Sequence, residues 1–94
     1  MKKRIYIIGA GDFGREMESW LEDLPNFKNE YEIKGYLDND SKSLQNKPTD
    51  YEIVGTHEEM EFKENDYVVI AISNSKVRKR IAESLINKVN FFTY

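Results

Sequence analysis

β-Branched and aromatic residues gather in four stretches of this chain: "KRIYII" (Lys3–Ile8), "YEIKGYL" (Tyr31–Leu37), the shorter "YEIV" (Tyr51–Val54) and "YVVIAI" (Tyr67–Ile72). Each reads as a strand, the first and last buried on both faces. Between and after them the period changes. Phe13, Met17, Trp20, Leu21 and Leu24 recur at helical intervals, with Arg15, Glu16, Glu18, Glu22 and Asp23 on the opposite side. The spacing predicts a helix over Phe13–Leu24, ended by Pro25 and Asn26, with Met17 and Trp20 on its core face. Val77, Ile81, Leu85 and Ile86 predict a second helix over Lys76–Asn87. Thr56 and Glu59 have the spacing of a capping box, which predicts a short helix beginning there. Pro25 and Asn26 start a polar connection to the second strand; residues 38–50, "DNDSKSLQNKPTD", which follow that strand, show no period and read as a surface loop, and Asn90–Thr93 reads as a last strand.

Strands alternating with helices imply parallel pairing through right-handed crossovers that cover both faces of one sheet. The expectation is a single domain over residues 1–94, a small Rossmann-like three-layer α/β fold with a mostly parallel sheet of about five strands. Composition agrees with an ordinary globular chain: 33% of residues are charged and 39% hydrophobic, with a net charge of -3. Acids and bases are interspersed, which leaves no electrostatic footprint for nucleic acid and no reason to expect a membrane surface. The absence of cysteine excludes disulfides, thiolate nucleophiles and cysteine-ligated metal. "MKKR" before "IYIIGAG" resembles the start of a signal peptide, but the apolar run is short and meets Asp12 without a cleavage site, so a cytoplasmic address is expected.

The first strand runs straight into Gly9, Gly11 and Gly14, spaced G-x-G-x-x-G, and then into a helix. In that context the glycines allow a tight turn and close approach of a ligand, and the first amides of the helix face outward toward an anion. In an open parallel sheet the ligand sits beyond the carboxyl ends of the strands, where the strand order reverses. Two other segments converge there. Asp38 ends the second strand, 24 residues after Gly14, where a carboxylate can accept hydrogen bonds from a ribose; Ser73–Asn74–Ser75 ends the fourth strand. Each has a structural alternative: a strand-to-helix turn for the glycines, an Asx turn for Asp38 and helix capping for Ser73 and Asn74.

Asp12 sits awkwardly inside this loop. A carboxylate about 6 Å from a diphosphate is repelled by roughly 1–3 kcal/mol, and the helix end returns ~0.3–2 kcal/mol. His57, the single histidine, reads as an early helix residue without a second metal ligand at suitable spacing. Lys76 and Arg78 are expected near the ligand edge, within a basic cluster that otherwise forms a solvated face. No set of residues suggests a catalytic apparatus, so no catalytic and no metal residues are assigned.

"RIYIIGAGDFGRE", "YEIKGYLDND", "YEIVGTHEEM" and "YVVIAISNSKVRKRIAESL" together resemble the N-terminal domain of bacterial sugar O- and N-acyltransferases, the sialic-acid O-acetyltransferases and bacillosamine-pathway N-acetyltransferases (NeuD/PglD-like). The resemblance implies a domain that binds a nucleotide-sugar, typically UDP-linked, for surface-glycan or amino-sugar biosynthesis. Gly9, Gly11, Asp12, Phe13 and Gly14 would lie on the phosphate side, Asp38 and Asn39 on the nucleoside, and Ser73 and Asn74 along the same cleft. Position 12 is often glycine in that family, and so is position 73. The family's trimeric left-handed β-helix, with its acetyl-CoA site and catalytic histidine, has no counterpart in these 94 residues. The chain is therefore expected to be a fragment, inactive alone, without a cofactor of its own, and a monomer or weak dimer; the full-length parent is expected to be an acetyl-CoA-dependent trimer. Two other functions fit the same residues: an NAD-type dinucleotide-binding regulatory module, and an interaction domain with an empty cleft.

Overall fold

The computed structural model describes residues 2–40, 42, 44 and 49–92. Among them five strands form one parallel sheet: β1 (Lys3–Ile8), β2 (Tyr31–Leu37), β3 (Ile53–Gly55), β4 (Asp66–Ile70) and β5 (Asn90–Phe91). Their order is β3-β2-β1-β4-β5, so the chain steps outward to β3 and then crosses back to the other side of β1. Helices α1 (Asp12–Asp23), α2 (Phe27–Glu30) and α3 (Ser75–Leu85) complete the described elements. Side chains alternate along β1: Ile5 and Ile7 pack with Met17 and Leu21 of α1, and Ile8 with Ile81 and Leu85 of α3. The two long helices therefore cover opposite faces, and the three-layer expectation holds.

The differences lie at element ends, and each has a local cause. α1 stops at Asp23 because Leu24 precedes Pro25 and takes an extended ψ of 135°. The polar connection expected next contains α2, a single turn entered through Asn26 in the left-handed region (φ 63°) and anchored by buried Phe27. α3 ends at Leu85, where Ile86 turns extended and Asn87 becomes left-handed (φ 67°). Ile86, expected on the apolar face, is consequently 64% exposed. Trp20 also lies outside the core, exposed and set edge-on to Phe13 at 6.0 Å between ring centroids.

At the capping-box site the Thr56 hydroxyl accepts the Glu59 amide (3.1 Å), yet only one turn forms and no helix follows. Met60 and Phe62 explain it. Both pack into the α3-side core, and side chains two residues apart share a face only when the chain is extended. β3 is shifted to Ile53–Gly55, and Asp38 N–H donates to the Gly55 carbonyl at its end (3.0 Å). The last strand is shorter than expected. Within the loop expected over 38–50, residues 41, 43 and 45–48 lie outside the described residues, as does Thr93.

Two polar ties hold the layers in place. Buried Asp66 accepts from Arg4 Nε (2.6 Å) and from the Lys63 amide (2.7 Å), fixing the start of β4 beside β1. On α1, Glu18 and Glu22 stand one turn apart. Glu18 accepts the hydroxyls of fully buried Tyr36 and of Thr49, both at 2.6 Å, while Glu22 accepts that of Tyr51 at 3.1 Å. Burial, and then the Glu22 carboxylate, push the Tyr51 phenol up to about 12; burial and Glu18 raise Tyr36 further.

A phenol whose folded pKa exceeds its unfolded value gives no pH dependence below the unfolded value. Above it, the unfolded chain loses the proton first, so stability falls as pH rises. Thermal unfolding should therefore show Tm dropping between pH 10 and about 12, and Tyr51→Phe should make that drop shallower without abolishing it, since Tyr36 remains.

Candidate functional site

A cavity of about 1040 Å³ opens beyond the carboxyl ends of β1, β2 and β4, where the strand order reverses. The β1–α1 loop supplies Gly9, Gly11, Asp12 and Phe13; the end of β2 supplies Leu37, Asp38 and Asn39; the end of β4 supplies Ala71, Ile72 and Ser73. His57 and Glu58 stand at one side, and α3 contributes Val77, Arg80, Ile81 and Ser84. Seven of the nine sequence-derived site residues are thus brought together. Gly14 and Asn74 are not in the wall.

The three glycines do different work. Gly9 has φ +102°, which disfavours any side chain, and a Cβ there would lie 2.8 Å from the Ala71 carbonyl oxygen. A Cβ on Gly14 would come within 1.9 Å of the Gly9 carbonyl oxygen, so this residue lets α1 press onto the end of β1. Gly11 is otherwise. Its φ of −75° suits any residue, a Cβ would meet nothing within 4 Å, and it is exposed to the cavity. Gly11 is also the N-cap of α1, and with no side chain it places no capping group over the first turn of the helix.

Asp12, at the first helical position, forms an ion pair with Arg15. Its charge therefore does not face the cavity alone. Asp38 is engaged on both oxygens: Oδ2 accepts the Ala10 amide and Oδ1 the Asp40 amide, each at 2.8 Å. The second of these is the Asx turn that the sequence left open. Asn74 caps α3, accepting from the amides of Lys76 (3.0 Å) and Val77 (3.1 Å).

Sequence reasoning missed His57, Glu58, Arg80 and Ser84 as wall residues. His57 lies in a turn, not a helix, with Nδ1 3.9 Å from Glu58 Oε1. Neither Lys76 nor Arg78 lines the cavity; Arg78 Nη1 instead donates to the Ile72 carbonyl (3.2 Å). The α3 contribution was readable in principle. Val77, Arg80, Ile81 and Ser84 follow the i, i+3, i+4, i+7 stripe that Val77 and Ile81 begin. His57 has no comparable local signal, because only the pairing of β3 beside β2 brings it to the mouth.

Chemically the wall is mixed. Ile8, Leu37, Ile72, Val77 and Ile81 form an apolar floor, while backbone amides, Asn39, Ser73, His57 and Arg80 offer polar contacts. Among the described residues no cluster of three or more metal-ligating side chains occurs, and no helix is long and apolar enough to cross a membrane. A parallel sheet in this order, with a mostly apolar cleft at its reversal point, defines a doubly wound α/β domain.

The family follows from comparison with known sequences. A family model described as the PglD N-terminal domain matches residues 4–85, from β1 through α3. The chain belongs to this family, the N-terminal domain of sugar acetyltransferases. No curated protein matches it.

The contact at Gly14 is testable. A 1.9 Å approach to backbone cannot be relieved by a rotamer change, so Gly14→Ala should cost more than about 3 kcal/mol in urea denaturation, or prevent folding.

Proposed function

We propose that the cavity binds a nucleotide-sugar, UDP-linked in the first instance, as the acceptor substrate of a sugar acetyltransferase. The observation that carries this reading is Gly11. It is the loop glycine at which neither φ nor packing excludes a side chain, and it borders the cavity beside the first turn of α1. Space left open there suits a phosphate approaching backbone N–H groups. The cavity volume of about 1040 Å³ stands at the upper end of the roughly 300–1,000 Å³ typical of ligand sites, which favours a nucleotide with a sugar attached over a nucleotide alone. Membership of the PglD N-terminal domain family supports the same substrate class.

On this reading the diphosphate lies along Gly11 and the start of α1, with Arg15 offsetting Asp12. The apolar floor takes the faces of the base and sugar, and Asn39, Ser73, His57 and Arg80 supply polar contacts around them. On this reading the cavity holds the acceptor and supplies neither acetyl-CoA binding nor proton removal. The 94-residue chain itself should show no transfer of acetyl groups from acetyl-CoA to a UDP-amino sugar; turnover above background by the purified chain would contradict this division of labour.

Binding is tested by calorimetry with UDP, a UDP-amino sugar, a CMP-sugar and NAD. The expected order places the UDP-sugar first and NAD last. Gly11→Val should leave the fold intact, at a cost of about 1 kcal/mol or less for a poorer N-cap, yet reduce UDP-sugar affinity by about tenfold or more because a side chain fills the phosphate space. Unchanged affinity in that variant, or tighter binding of NAD than of any UDP ligand, would overturn the reading.

A further inference from the structure

At the end of β2 two consecutive bonds, one to backbone and one to a side chain, fasten the glycine loop. Gly9 N–H donates to the Leu37 carbonyl (2.9 Å), and Ala10 N–H, on a residue with no exposed surface, donates to Asp38 Oδ2 (2.8 Å). Asp38 is itself held from behind, since its own N–H donates to the Gly55 carbonyl (3.0 Å) and its Oδ1 accepts the Asp40 amide (2.8 Å). A carboxylate that clasps both hydroxyls of a ribose turns both oxygens to the ligand. Here one oxygen is turned to the loop and the other to the Asp40 turn.

We propose that Asp38 is a positioning residue: it clamps Ala10, and through it holds Gly11 in place against the ligand, and it does not read the ribose. The proposal rests on the nucleotide reading of the cavity for its effect on binding, but the clamp itself exists without a ligand. The charge on Asp38 suits the task. A hydrogen bond from an amide to an ionised carboxylate is stronger than one between neutral groups, and it fixes the residue directly before the open glycine. It follows that ligand discrimination at the sugar 2′-hydroxyl is independent of residue 38.

The test uses the whole 94-residue chain in three forms: wild type, Asp38→Ala and Asp38→Asn. Amide exchange at Ala10, measured by NMR relative to the slowest sheet amides, reports the clamp in ligand-free protein. It should accelerate about tenfold or more in Asp38→Ala. Asp38→Asn keeps a single acceptor oxygen and should be intermediate; it also serves if the alanine variant does not fold. Calorimetry with UDP and with 2′-deoxy-UDP then reports the effect on binding. Both affinities should fall by the same factor, leaving their ratio as in the wild type. The proposal is overturned if Ala10 exchange is unchanged, or if the wild type prefers UDP and the variants lose that preference. Failure of the wild type to bind either nucleotide would overturn the nucleotide reading alone, and exchange at Ala10 would still decide the clamp.

Discussion

The carbonyl oxygen of Gly9 occupies the place that a side chain on residue 14 would take, 1.9 Å from where its Cβ would stand. Much else depends on that contact. With α1 seated this closely, the four residues between Gly9 and Gly14 must turn at once, which accounts for the left-handed Gly9 and for its own tight fit against Ala71. The turn in turn throws Gly11 outward, away from any neighbour. α1 then lies with Met17 and Leu21 against Ile5 and Ile7, and its first turn faces the cleft where β1, β2 and β4 end. The open position exists because the two flanking glycines are packed.

Seating α1 also settles the electrostatics of the loop. Asp12 poses a conflict only if its charge stands alone, since repulsion of roughly 1–3 kcal/mol would then match or exceed what the helix end returns. Arg15, one turn along, is paired with it, so the loop presents nearly balanced charge. Lower on the same helix, Glu18 ties α1 to the buried phenol of Tyr36 in β2 and to the hydroxyl of Thr49, and Glu22 ties it to Tyr51. Two of the acidic residues that the periodicity placed on a solvent face, Glu18 and Glu22, therefore serve as acceptors between layers.

Strands β1 and β2 were legible to the residue because their hydrophobic runs end in unmistakable breakers, Gly9 at one and the Asp38 turn at the other. Helix ends were legible where Pro25 dictates them and less so at Leu85, where the apolar residue Ile86 continues the helical pattern but the backbone does not. α2 was invisible, since one turn gives no period to detect. The capping box at Thr56 formed as a local bond and failed as a helix, because Met60 and Phe62 are claimed by the core in an extended chain. The cleft shows the same division. Positions set by local spacing, such as Gly9, Gly11 and Ser73, could be named from sequence, whereas His57 and Arg80 come to the wall only through tertiary packing. Asp38 was found at the right place, but its side chain has two plausible partners, and sequence cannot say which one it faces.

The two walls of the cleft differ in the kind of contact they can offer. One wall, from Gly9 to the start of α1, offers backbone held by packing and by the bonds at the end of β2. The side chain at position 12 points into solvent and pairs with Arg15, so an aspartate is accommodated there. The other positions offer side chains: Asn39 from β2, His57 after β3, Ser73 after β4 and Arg80 from α3. On the function proposed above, a phosphate contact made by backbone is indifferent to the base and the sugar, so discrimination among nucleotide-sugars must come from the side chains of the wall, these four among them. They stand on four separate segments, and none of them is part of the buried core. Exchanging any one alters a contact without disturbing the Gly9–Gly14 seat, so substrate preference in such a domain can change while the fold and the phosphate cradle stay as they are.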